Sequence, residues 1–145
     1  MDSGNTYNYD LAFKINPSMN ENSHFAASKY DEYDVVDVEV FDLIKEQSED
    51  DSEIVREIYL SYFSETEILM KLINEYAKKC SYEKLRMTIH SLSGISATVG
   101  AKKVKEITKD IENELIMENN KSALLLIPYL VRSITEIKKT INELI

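Results

Sequence analysis

Cysteine occurs once, at Cys80, which excludes an intramolecular disulfide and any cysteine-based metal cluster. Two histidines, His24 and His90, leave little from which to build a zinc site, so no metal ligands are assigned. Three glycines and two prolines are too few for an all-β protein built on tight turns. Long hydrophobic runs are missing: the longest, Ala123–Val131, is about half of a membrane span. Met1–Asp10 holds two Asp and no Lys or Arg, unlike a secretory leader. The expectation is a cytoplasmic protein with no membrane partner. Positive charge is in deficit overall, and a net charge of -9 argues against a nucleic-acid partner.

What remains is enough for one folded domain. The chain has 145 residues, 43% of them hydrophobic and 30% charged. The acidity is concentrated at one end. Residues 1–34 carry a net -4, Val35–Glu57 a net -7, and Ile58–Ile145 a net +2. Residues 1–34 are rich in Asn and Ser and show no sustained apolar period, so they read as a flexible or partner-docking tail. Tyr7, Tyr9, Phe13, Ile15, Phe25, Tyr30 and Tyr33 are sticky points in it, able to dock on the folded domain or on a partner. His24 lies in that tail and is given no role.

Residues 35–145 are helical by pattern. Val40, Phe41, Ile44 and Gln47 predict a short amphipathic helix over Val38–Gln47. Asp50, Asp51 and Ser52 offer N-caps for the next. Its apolar face is Ile54, Val55, Ile58, Tyr59 and Tyr62, continued by Ile68, Leu69, Leu72, Ile73, Tyr76 and Ala77. Ser64 and Glu67 fit a capping box, so one long bent helix and two shorter ones are both open. Cys80 at the end reads as a packing residue. Ser81 is an N-cap for a helix over Tyr82–Thr98 that stops near Gly100. Ala101–Glu118 follows, with Val104, Ile107, Ile111 and Leu115 as its stripe. The last helix aligns Leu124, Ile127, Val131, Ile134, Ile137 or Lys138, Ile141 and Leu144, and Pro128 implies a kink or a later start. Short turns between such helices predict an all-α fold, an up-down antiparallel four-helix bundle with an additional short N-terminal helix. The last seam reads as a stave of that bundle, and the chain as a monomer.

The Tyr82–Thr98 helix carries the chemistry. Leu85, Ile89, Leu92, Ile95 and Val99 share one arc, and His90 points about 140° from its middle. His90 should therefore face solvent. Ser93, Gly94 and Ala97 border it on the C-terminal side, all small. A glycine inside a helix costs about 1 kcal/mol against alanine. Gly94 makes sense if something must come close to the ring over that turn. A neutral imidazole nitrogen is a nucleophile near pH 7 and suits attack on a phosphoryl group held by another protein. Arg86 lies one turn before His90. If the two helices around Gly100 form a hairpin, His90 faces roughly Lys109, with Lys105, Lys109 and Glu112 on one flank. Lys102 and Lys103 stand near the turn. Glu112 could accept from one ring nitrogen and leave the other nucleophilic; spacing alone does not choose between Lys109 and Glu112.

The run His90-Ser91-Leu92-Ser93-Gly94-Ile95-Ser96-Ala97-Thr98-Val99-Gly100-Ala101 resembles the phosphoacceptor motif of histidine phosphotransfer (HPt) domains of multistep two-component phosphorelays. That motif is His, any residue, Leu, Lys, Gly, then small residues, an apolar residue and a helix-ending Gly. The resemblance spans about Val38–Ile145. It implies that His90 accepts a phosphoryl group from a receiver-domain aspartate and passes it to another, and that Gly94 lets the receiver approach. It implies response-regulator receivers and a hybrid sensor kinase as partners. It implies no cofactor on this chain, with Mg²⁺ carried by the receiver. Such a protein is a phosphocarrier without its own ATP site, not an enzyme. The sequence departs from the motif at Ser93, where members carry a lysine. Either Arg86, Lys105 or Lys109 supplies the charge, or transfer is slower. The alternative is a binding module that docks receivers or kinases and carries no phosphate.

Overall fold

A computed structural model describes residues 29–145 of the chain. Those residues are all-helical. Residues 29–31 are helical, and five helices follow: α1 (Val38–Gln47), α2 (Ser52–Lys78), α3 (Tyr82–Val99), α4 (Lys102–Ile116) and α5 (Asn120–Leu144). Helix α3 packs along α2 and α4, α4 packs along α5, and α2 touches α5. Helix α1 lies against α2 and α3. No described helix is long and apolar enough to cross a membrane.

The helix ends follow local chemistry. Asp37 Oδ1 accepts from the backbone N–H of Glu39 and Val40 at 3.1 and 3.3 Å and starts α1. Asp51 does the same for α2 through Glu53 at 3.0 Å. Ser81 precedes α3 but makes no side-chain cap bond, contrary to its expected role. Gly100 ends α3 with φ +74°, and Ala101 N–H returns to the Ser96 carbonyl at 2.9 Å. A Cβ at Gly100 would sit 3.0 Å from Val40 Cβ and 3.1 Å from the Asp37 carbonyl oxygen. Glycine is thus required twice there, for its dihedral and for the closeness of α1. Asp37 N–H also donates to the Gly100 carbonyl at 2.8 Å, and Lys102 N–H to Val35 at 3.1 Å. The α3–α4 turn and the start of α1 are therefore one knot.

The core is built from helical stripes. Val104, Ile107, Ile111 and Leu115 of α4 are all buried, as expected. So are Leu85, Ile89, Leu92 and Val99 of α3, while Ile95 is half-buried. Each fully buried Leu or Ile side chain contributes about 2 kcal/mol of transfer free energy. Two hydroxyls fix α2 against α3: Tyr59 donates to the Val99 carbonyl at 2.9 Å, and Tyr62 shares a 2.8 Å hydrogen bond with Ser96.

Of the two readings open at Ser64 and Glu67, the single helix is the one formed: α2 runs unbroken there, because Tyr62, Thr66, Met70 and Ile73 keep pointing into the same interior. Other expectations are corrected. Ile54, Ile58 and Ile68 are exposed, not part of its buried face. Cys80 is exposed with φ +56° and packs against no core. Helix α5 begins at Asn120, so Pro128 lies inside it and does not delay its start. Leu144 is exposed and Leu124 half-buried, while Ala123, Leu130 and Ser133 join Ile127, Val131, Ile134, Ile137 and Ile141 inside.

Tyr30 docks on the folded domain. It is 3% exposed, its hydroxyl donates to Asp110 at 2.8 Å, and its ring lies 5.9 Å from that of Tyr129. Lys29 pairs with the same Asp110 oxygen at 2.9 Å. Tyr7, Tyr9, Phe13, Ile15, His24 and Phe25 lie outside the described residues.

Candidate functional site

Ile89 is fully buried, and the next residue is turned by about 100° on the helix. That single step brings His90 out to solvent, and its side chain is 72% exposed. Gly100 and Ala101 alone separate α3 from α4, so two helices that pack along their length must run antiparallel. This hairpin brings Glu112 opposite His90. Imidazole Nδ1 lies 2.9 Å from Glu112 Oε2. A carboxylate only accepts, so in the neutral ring the proton sits on Nδ1 and the lone pair on Nε2. Of Lys109 and Glu112, left open by spacing, Glu112 is the one that hydrogen-bonds the ring. The register is set by the length of the turn, which spacing along one helix does not report.

Arg86 is drawn into the same cluster. Its Nη1 lies 3.8 Å from the Glu112 oxygen that His90 uses. Its Nη2 and Nε hold Glu83 at 2.6 and 3.3 Å. That hydrogen-bonded guanidinium holds the Glu83 carboxyl below the ordinary carboxylate range and is itself raised in return. Glu83 was not among the expected site residues. Its signal was the i,i+3 spacing to Arg86 on a helical face.

On the other side of His90 the surface is bare. Gly94 and Ala97 are exposed, and Ser93 is half-buried. A Cβ added to Gly94 would meet nothing within 4 Å. Nothing within the described residues requires glycine there. Lys105 is half-buried and Lys109 exposed; neither forms an ion pair among the described residues. Lys103 leaves the site altogether. It is 5% exposed and reaches Glu136 at 3.2 Å and Asp31 at 3.8 Å.

No family model, no curated protein and no solved structure matches this chain. The site must therefore be read from its own chemistry. Among the described residues no group of His, Cys, Asp and Glu could hold a metal ion. His90 lines neither the cleft of about 590 Å³ between Tyr30, α4 and α5 nor that of about 350 Å³ between Phe41 and Ile145. It stands on open helix surface. A small substrate would find no enclosure there, whereas a protein carrying its own reactive group could approach the exposed ring.

Proposed function

We propose that the chain is a histidine phosphotransfer carrier, a cytoplasmic intermediate between receiver domains in a multistep phosphorelay. The observation that carries the reading is a largely exposed imidazole whose Nδ1 is held by Glu112, one turn from a glycine with open space around it. The resemblance brings the finer architecture with it: α2–α5 as the staves of an antiparallel four-helix bundle, with α1 as the additional short helix.

In the carrier reaction Nε2 attacks the phosphorus of a receiver's aspartyl phosphate. The new N–P bond forms as the P–O bond to the aspartate breaks, and that bonding pair leaves on the carboxylate. Glu112 keeps the proton on Nδ1 and offsets the positive charge that the ring acquires. Onward transfer is the reverse, to the aspartate of a second receiver. His90 is consumed and regenerated, so the protein is a carrier and not an enzyme. Phosphoryl-stabilising or docking roles fall to Arg86, Ser93, Gly94, Ala97, Lys105, Lys109 and Glu112. Mg²⁺ belongs to the receiver.

The uncharged Ser93 favours a second reading, a module that docks receivers without carrying phosphate. One experiment separates them. The protein is mixed with a receiver domain carrying radiolabelled aspartyl phosphate and Mg²⁺. The carrier acquires acid-labile, alkali-stable label, and His90→Gln acquires none. Complex formation without label would leave only the docking module.

A further inference from the structure

A phosphorylated side chain holds about two negative charges. On His90 they would form beside Glu112, which is already within a hydrogen bond of the ring. The site needs a cation, and Ser93 is not one. Three are near in sequence, and they differ in placement. Lys105 and Lys109 share the Glu112 flank of α4 by helical spacing, yet neither pairs with that carboxylate. Arg86 reaches it: one oxygen, Glu112 Oε2, lies 3.8 Å from Arg86 Nη1 and 2.9 Å from His90 Nδ1.

Arg86 and His90 are also one turn apart on a single helix, so their relation does not depend on inter-helix sliding. What occupies the guanidinium is Glu83, whose side chain is 72% exposed. An exposed i,i+3 pair is weak and exchanges readily. Phosphoryl oxygens bind a guanidinium through two parallel N–H···O bonds and compete well for it. We propose that Arg86 is the cation that holds the phosphoryl group on His90, and that Glu83 retains the guanidinium until that group arrives. The inference rests on the carrier reading, and it gives Arg86 the task that the resemblance assigns to a lysine at position 93.

Phosphoramidate tests it, because this small donor delivers a phosphoryl group without protein docking. Nε2 of His90 bonds to phosphorus, the P–N bond breaks, and ammonia leaves with the bonding pair. With the full chain, Arg86→Gln is expected to slow labelling about tenfold, far more than Lys105→Gln or Lys109→Gln. Arg86→Lys should recover part of the rate, and Glu83→Gln should raise the wild-type rate about twofold by releasing the guanidinium. The ¹⁵Nε resonance of Arg86 should shift when wild-type protein is phosphorylated, a change that a purely structural arginine would not show. Circular dichroism checks that each variant is folded. Labelling of Arg86→Gln at the wild-type rate, or an equal loss in Lys109→Gln, overturns the assignment of Arg86 alone. Absence of label on the wild type overturns the carrier reading and this inference with it.

Discussion

Two glycines six residues apart, Gly94 inside α3 and Gly100 at its end, answer to different demands. Around Gly100 the chain closes on itself. Its φ of +74° excludes most side chains, and Val40 and Asp37 fill the space where a Cβ would go. Around Gly94 the chain offers nothing: the residue is helical, exposed and clear of neighbours to 4 Å. One glycine is explained by the fold, and the other is left for something outside the chain to explain. His90 stands one turn from the unexplained one.

The largest expected effect is at the knot. Gly100→Ala combines a left-handed alanine with an overpacked contact against α1 and should cost about 2–4 kcal/mol. Thermal unfolding reads this as a fall in Tm of roughly 10 °C or more. A near-neutral result would erase the contrast between the two glycines.

Gly94→Gln should do the opposite. Stability should hold or rise, while transfer from a phosphorylated receiver falls about tenfold, equivalent to about 1.4 kcal/mol. Labelling by phosphoramidate should fall far less, since no protein has to approach. Gly94→Ala should raise stability by about 0.5–1 kcal/mol, as removal of an exposed helical glycine does. Destabilisation by either substitution would make Gly94 structural after all.

A third expectation concerns pH at the Gly100 end. Burial pushes the phenols of Tyr59 and Tyr62 up from 10 to about 12. The folded state therefore favours the neutral form. This contribution is fully present below pH 10 and is lost as pH rises toward 12. Chemical denaturation across that range should show stability flat to pH 10 and declining above it. Tyr59→Phe should lower the plateau by about 1 kcal/mol, through the lost bond to Val99, and soften the decline.

The smallest effect belongs to the basic flank. Lys105→Gln and Lys109→Gln should each slow association with a receiver by about two- to threefold at low salt, with the difference shrinking as salt is added. Stopped-flow binding at several ionic strengths measures it, and a salt-independent loss would instead place these lysines at the phosphoryl group.

Much of this was legible in the chain itself. The buried stripe Val104, Ile107, Ile111 and Leu115 was expected residue for residue, because a 3.6-residue period marks one face of a helix wherever it is folded. The same arithmetic turned His90 outward, and it holds whatever α3 packs against. Other readings stayed open or failed where the period is ambiguous or a neighbour decides. Ser64 and Glu67 have the spacing of a helix start, but side chains buried on both sides of them carry α2 straight through. Lys103 reads as a surface lysine near a turn, yet Glu136 and Asp31 close over it. Tyr30 sat in an aromatic-dotted tail until Asp110 and Tyr129 provided its seat.

The sequence by itself determined that the described chain is helical, which faces are apolar, and that one histidine is presented beside a small-residue turn. These are local properties, set within a few residues by dihedral preference and side-chain period. Tertiary structure alone decided that Glu112 and not Lys109 meets the imidazole, that Arg86 shares that carboxylate, and that Gly100 rather than Gly94 is locked by packing. Each depends on the register between elements, which arises from turn length and the fit of distant side chains and leaves no periodic trace in either partner.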